Sequence, residues 1–253
     1  MSTADYARRF SGIERLYGTD SLSRLAGAHV CVVGIGGVGS WAVEALARSG
    51  VGRLTLIDLD HVAESNINRQ IQALATTLGQ AKVTAMQERI AQINPACTVA
   101  CIEEFVTPEN VTTLLPAGAV VIDAIDQMRA KAALIVCCRA SKTPIVITGG
   151  AGGRSDPTRV RVDDLARTTQ DALASKLRAY LRKEHGFTRD TKKTFGVACV
   201  YSDEPMRRPL AAACDVDAAG LHGLNCAGYG SSVAVTAGFG FAAAAHCLGI
   251  LLK

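Results

Sequence analysis

The chain has 253 residues, 49% of them apolar and 20% charged, with a formal net charge of +4. That apolar content supplies one large core, or two halves sharing one, and excludes an intrinsically disordered protein. The nine cysteines are odd in number, scattered and never spaced C-x-x-C. This excludes a disulfide framework, argues against structural zinc, and points to a reducing cytoplasm with free thiols.

The charge is uneven. Residues 1–150 carry 13 basic and 13 acidic side chains, whereas residues 151–253 carry 14 and 10. An anionic partner is therefore expected at the C-terminal half.

Residues 1–10 are polar and charged, so no signal peptide is expected. Residues 30–33 form an apolar run before a glycine cluster and predict a buried strand. A helix over 38–49, ending near Gly50, and a strand over 54–57, closing on Asp58, complete a β-α-β unit. The alternation continues with a helix over 79–93, which stops at Asn94-Pro95, and a strand over 98–102. A short helix over 111–115, a strand over 119–122, a helix over 129–141 and a strand over 145–148 follow. Strands alternating with helices predict an α/β fold with a Rossmann-like, doubly wound, mostly parallel sheet.

After Gly149-Gly150-Ala151-Gly152-Gly153 the texture changes, and the expected division is into residues 1–150 and 151–253. The second part reads as an α/β extension, with strands over 160–162 and 195–201 around a basic helix over 171–183. Residues 202–225 are rich in Pro, Gly and Asp and predict a long loop. The final apolar helix, 231–252, is long enough to span a membrane. Gly238, Gly240, His246 and its many alanines suit a closely packed core helix better, and membrane association is not expected.

Chemistry starts at Gly34-Ile35-Gly36-Gly37-Val38-Gly39, between a strand and a helix. Gly34, Gly36, Gly37 and Gly39 let the backbone turn and approach a ligand, and the helix N-terminus presents free N–H groups to phosphate. Asp58 follows at the end of the next strand, where a carboxylate accepts from ribose hydroxyls. Glycines and acid together fit NAD as well as ATP. The polar groups that follow favour the triphosphate. Asn66, Arg69 and Lys82 supply an amide, a guanidinium fork and a point charge for a leaving pyrophosphate, and Asp60 and Gln70 join them as candidate ATP-binding residues. Asp126, after the fourth strand, stands where open α/β sheets bind ligands and could hold a magnesium ion bridging phosphates.

The run Gly-x-Gly-Gly-x-Gly-Ser, Leu-Ile-Asp-x-Asp, Ser-Asn-x-x-Arg-Gln, Ala-Lys and Asp-x-x-Asp resembles the E1-like adenylyltransferases over roughly residues 10–150. The resemblance implies ribose binding by Asp58, phosphate contacts from Asn66, Arg69 and Lys82, and magnesium on Asp126. It also implies a homodimer in which a basic residue of one subunit reaches the other's phosphates, with Arg15 the best match and Arg9 the alternative. The C-x-x-C pairs usual in sulfur-carrier activators are missing here.

Stretches such as Gln92-Ile93-Asn94-Pro95, Phe105-Val106-Thr107-Pro108, Thr148-Gly149-Gly150-Ala151-Gly152-Gly153 and Asn225-Cys226-Ala227-Gly228-Tyr229-Gly230 are similar to the tRNA threonylcarbamoyladenosine dehydratase branch, over nearly the whole chain. That branch implies adenylation of the threonylcarbamoyl carboxylate and intramolecular cyclisation with loss of water. The alternative is adenylation of a sulfur-carrier or ubiquitin-like protein, and a sulfur-acceptor-type protein is a candidate partner.

The tRNA is expected on Lys176, Arg178, Arg182, Lys183, Arg189, Lys192 and Lys193, opposed only by Glu184 and Asp190. A solvated basic helix is the competing account. Cys226, at the start of the last helix, is either an activated thiolate joining Arg15, Arg69, Lys82 and Asp126 in catalysis, or a small buried hydrophobe. Cys199 is a weaker candidate because its neighbours suggest a buried strand, and His222 lies in the long loop. A monovalent cation near residues 149–153 is left open.

Overall fold

A computed structural model describes residues 3–207 and 229–253. Two helices, α1 (Thr3–Tyr17) and α2 (Ser21–Gly27), precede the first strand β1 (His29–Val33). Next come α3 (Gly39–Arg48), β2 (Arg53–Ile57), α4 (Lys82–Ile93), β3 (Thr98–Ile102), α5 (Val111–Leu114), β4 (Val120–Asp123), α6 (Met128–Ala140) and β5 (Ile145–Thr148). The chain then forms β6 (Val160–Asp164), α7 (Ala172–Glu184), β7 (Ala198–Ser202) and α8 (Val233–Leu251).

The seven strands make one sheet in the order β3-β2-β1-β4-β5-β7-β6. All neighbours are parallel except β6, which runs antiparallel to β7. The expected doubly wound sheet is therefore present, and its strand order reverses between β1 and β4. There Val33 pairs with Ile57 on one side and with Asp123 on the other, so the loops after β1, β2 and β4 emerge side by side. That crevice is where such sheets bind ligands.

α1 and α2 went unforeseen. α1 buries only a narrow stripe, with Phe10 at 4% exposure, half-buried Tyr6 and Ile13 beside it, and charged residues elsewhere. Tyr6 and Phe10 stack edge to face with centroids 4.8 Å apart over Gly50, whose carbonyl accepts from the Tyr6 hydroxyl. So sparse a stripe reads as polar chain until its partner surface is known.

Element ends shifted for local reasons. α4 starts at Lys82 rather than at residue 79, because Gly79 sits at φ 81° and His61 forms a β-bridge with Ala81. β7 starts at Ala198 because the N–H groups of Phe195, Gly196 and Val197 all donate to the Asp164 carboxylate. Asp171 caps α7 by accepting from the Ala174 N–H at 2.9 Å.

α8 has the length and apolarity of a membrane span, yet one face lies in the main core. Val235, Phe239, Ala243, Ala244 and Cys247 are buried there beside Ala42, Val43 and Leu46 of α3. Gly240 permits the close approach: a Cβ there would sit 2.5 Å from the Val38 carbonyl oxygen and 2.7 Å from Trp41 Cβ.

Candidate nucleotide site at the carboxyl edge of the sheet

The glycine loop is shaped by two close contacts. Gly34 has φ 87°, and a side chain there would meet Ile125 Cγ2 at 2.9 Å. A Cβ on Gly39 would lie 1.8 Å from the Gly34 carbonyl oxygen. Gly36 faces open space, its nearest neighbour being Gln70 Nε2 at 4.0 Å, so its lack of a side chain leaves room for a ligand. A Cβ on Gly37 would meet the stem of Arg69 at 3.3 Å.

Asp58 supports this loop from below. It is 8% exposed, and its Oδ2 accepts from the Ile35 N–H at 2.6 Å while Oδ1 accepts from the Asp60 N–H at 2.9 Å. Burial pushes its carboxyl pKa up, and the nearby Lys82 charge and these two bonds oppose that rise. Each oxygen retains a lone pair for a ribose hydroxyl.

The segment after β2 folds back over the loop. Asn66 is buried, with Oδ1 accepting from the Ala63 N–H at 3.1 Å. Arg69 donates to the Ser65 carbonyl at 2.7 Å and to Asn68 Oδ1 at 2.8 Å, and its own carbonyl accepts from Trp41 Nε1 at 2.9 Å. Its partial desolvation lowers the guanidinium pKa, from a starting point that leaves it charged at neutral pH. Gln70 is buried and accepts from Gln72 at 3.1 Å, while Gln72 also donates to the Ile35 carbonyl at 2.9 Å. Lys82 begins α4 with its ammonium buried and paired at 2.6 Å with Asp60 Oδ2, on a carboxylate that is itself half exposed.

Asp126 lies half-buried in the turn after β4. Beneath it is a pair that sequence reasoning missed, Lys131 Nζ to Asp123 Oδ2 at 2.8 Å, with both side chains wholly buried. Burial pushes the Asp123 carboxyl up, and the Lys131 ammonium pulls it back. The Asp123 carboxylate also accepts from the Ile125 N–H at 3.2 Å, so the pair stiffens the turn that carries Asp126. The only cue in the sequence is the spacing of Asp123 and Lys131 across the start of α6.

The C-terminal part of the chain completes the rim. Gly230 accepts from the Gly153 N–H at 2.8 Å, and the Ser231 carbonyl accepts from Asn68 Nδ2 at 3.3 Å. Residues 230 and 231 thus bridge the loop after β5 to the neighbour of Arg69, and Thr236 Cγ2 approaches the Cβ position of Gly37 to 3.5 Å. Asp171 holds the loop after β5 by accepting from the Gly150 N–H at 2.9 Å and pairing with buried Arg154 at 3.6 Å.

Other expected residues fall elsewhere. Arg15 is exposed near the end of α1, and its one hydrogen bond among the described residues goes to Ser11 Oγ at 3.2 Å. Arg9 binds the last carbonyls of α4. Cys226 and His222 lie outside the described residues. Cys199 is buried in β7, and burial drives its thiol pKa far up, which suits a packed side chain rather than a nucleophile. Within the basic segment, Arg178 is half-buried against Thr168 and the Leu165 carbonyl. Arg182 donates to the Thr188 carbonyl at 3.2 Å and covers the Phe195 ring, and Lys183 pairs with Glu184 at 2.9 Å. Lys176, Arg189, Lys192 and Lys193 are exposed.

A magnesium ion suits this edge. It keeps several waters and is bound by one or two carboxylates plus phosphates, so it does not require a dedicated cage of protein ligands. Asp126 supplies such a carboxylate, and no cluster of three or more metal-ligating side chains occurs among the described residues.

The sequence profile of the ThiF family matches residues 6–253. The chain belongs to the ThiF family. One relative, the tRNA threonylcarbamoyladenosine dehydratase of Escherichia coli, is 51% identical over 96% of this chain and 93% of its own. The crystal structure of the E. coli tRNA N6-threonylcarbamoyladenosine dehydratase in complex with ATP superposes with a TM-score of 0.89 at 49% identity, covering 99% of this chain and 96% of that one. Its complex with AMP gives a TM-score of 0.88 over the same shares. The ThiF-family likeness therefore includes the extension beyond residue 150 as well as the glycine-loop half.

Proposed function

We propose that this chain is an ATP-dependent dehydratase that cyclises the threonylcarbamoyl group of threonylcarbamoyladenosine in tRNA. The observation that carries this is the 51% identity extending over 96% of the chain, because the shared part includes the extension that a nucleotide-binding half alone would not require. The E. coli relative of that name has been crystallised with ATP and with AMP, the reactant and product of an adenylation.

The side chain's carboxylate is a poor electrophile. Its oxygen attacks the α-phosphorus of ATP, and pyrophosphate leaves. A nitrogen or oxygen of the same side chain then attacks the acyl carbon, and AMP departs with the oxygen formally lost as water. The second step is intramolecular and so needs positioning rather than a strong external nucleophile.

Asp58 and Asp60 would hold the ribose, and the open face of Gly36 the phosphates. Asn66, Arg69, Gln70 and Lys82 would neutralise and orient the leaving pyrophosphate. A magnesium ion on Asp126 would spread charge over the phosphate oxygens. Arg15 would act across a homodimer, which fits its exposed position and its distance in sequence from the loop. A monovalent cation near residues 149–153 would order that loop beside the Asp171 anchor. Residues 1–150 would serve ATP and residues 151–253 the tRNA, in the cytoplasm where tRNA is modified. Cys226 could take the acyl group transiently, although an internal nucleophile makes a relay unnecessary.

Pyrophosphate exchange tests this directly. Exchange should depend on tRNA carrying threonylcarbamoyladenosine and should not respond to a sulfur-carrier protein. Exchange driven by the carrier protein and not by the tRNA would replace this function with that of a sulfur-carrier adenylyltransferase.

A further inference from the structure

A cavity of about 450 Å³ lies at the foot of α3 and α4, lined by Arg9, Phe10, Arg48, Arg89, Gln92 and Ile93. The glycine loop is at the other end of α3, whose ten residues span about 15 Å. The phosphates of an ATP bound at that loop therefore do not reach the cavity.

Three guanidinium groups line it, each held by one edge. Arg9 Nη1 donates to the Gln92 carbonyl at 3.2 Å and the Ile93 carbonyl at 2.8 Å. Arg48 Nε donates to Glu44 Oε1 at 2.7 Å. Arg89 grips the same carboxylate through Nε at 2.7 Å and Nη2 at 3.0 Å. Glu44 is 4% exposed, so this anchor is rigid. The second terminal nitrogen of Arg9, both terminal nitrogens of Arg48 and Nη1 of Arg89 have no protein partner among the described residues.

The local charge is unbalanced. Three guanidinium groups oppose one carboxylate and the C-terminal poles of α3 and α4, each worth roughly half a negative charge. About one positive charge is left over, with preorganised N–H donors around it. That combination recognises a phosphate oxyanion, since the guanidinium fork matches its oxygens. Arg9 and Arg48 are exposed at the rim, so the site is open to a group attached to a larger molecule. An open rim suits a phosphodiester that continues into solvent at both ends.

We propose that this cavity seats a backbone phosphate of the tRNA, at the opposite end of α3 from the ATP site. The assignment rests on the tRNA function proposed above. A free phosphate or pyrophosphate shares the chemistry and is the competing source.

The test uses Arg9→Gln/Arg48→Gln, which leaves the Arg89–Glu44 pair in place. tRNA binding would be followed by fluorescence anisotropy across a salt series, with melting temperature and ATP affinity measured alongside. The variant should bind tRNA several-fold more weakly, with a log–log salt slope shallower by about one. Its ATP affinity should match wild type. If melting shows the double variant to be misfolded, Arg48→Gln alone carries the comparison. Wild-type affinity and slope in the variant would overturn the proposal. So would stabilisation of the wild type, but not the variant, by inorganic phosphate or pyrophosphate with tRNA binding unchanged, which would give the site to a free anion. A wild-type protein that binds no tRNA would overturn the tRNA function itself, a result distinct from either.

Discussion

Lys131 and Asp123 make the most consequential single contact near the site, because neither side chain reaches solvent. Among the described residues, the Lys131 ammonium is the sole partner of Asp123 Oδ2. Removing one charge strands the other in the core, at a cost of about 3–5 kcal/mol. Lys131→Met should therefore lower stability by that order in urea unfolding, and adding Asp123→Asn should recover part of the loss. A single variant as stable as wild type would show that the pair is not held as the geometry indicates. Asp58 is a different case. It carries two loop N–H groups, so substitution there would disturb the glycine loop as well as any ribose contact. Sequence reasoning placed Asp58 correctly at the end of β2, but assigned it a ligand and missed its scaffold duty.

Among the elements, α8 couples the core to the rim of the site. Its buried face lies against α3, and its first turn stands over Gly37. Gly240→Ala would force a methyl group to within 2.5 Å of the Val38 carbonyl oxygen. Such overpacking costs about 1–3 kcal/mol. The melting temperature should fall, and ATP affinity with it, because α8 must move off the start of α3. Gly249 is the control: nothing lies within 4 Å of its Cβ position, and it is exposed in the same helix. Gly249→Ala should raise stability slightly, by up to about 1 kcal/mol through helix propensity. Equal effects at both positions would remove the packing explanation. The apolarity of α8 was plain from sequence, and its glycines and alanines correctly suggested close packing, but not that its first turn meets the glycine loop.

On the scale of the molecule, the basic excess beyond residue 150 divides into two kinds of side chain. Arg178 and Arg182 are committed to Thr168, Thr188 and Phe195 inside the fold. Lys176, Arg189, Lys192 and Lys193 are exposed. Replacing those four by glutamine should weaken tRNA binding and flatten its salt dependence by about one log–log unit for each phosphate no longer neutralised. Melting temperature and ATP affinity should stay near wild type. Arg178→Gln with Arg182→Gln should instead lower the melting temperature. A quadruple variant with unchanged affinity and salt slope would reduce this face to solvated surface.

Whereas the switch point between β1 and β4 came only with the strand order, the amino-acid order alone specified the alternation of strands and helices that makes a mostly parallel sheet, and the glycine loop. Those features depend on contacts within a few residues: apolar runs of strand length, glycines where the turn is tight, and polar residues at strand ends. Gly34 and Gly39 are legible for that reason, since the loop closes on itself. What each charged residue does depends on groups far along the chain. Glu44 meets Arg89, 45 positions away, and Arg9 meets Ile93, 84 positions away. Only the packing of α1 against the foot of α3 and α4 brings three arginines to one cavity, and only the sheet buries Lys131 on Asp123. A charge run shows that charge is available. Burial and the competing partners that folding supplies determine whether that charge is used inside the protein or left for a ligand.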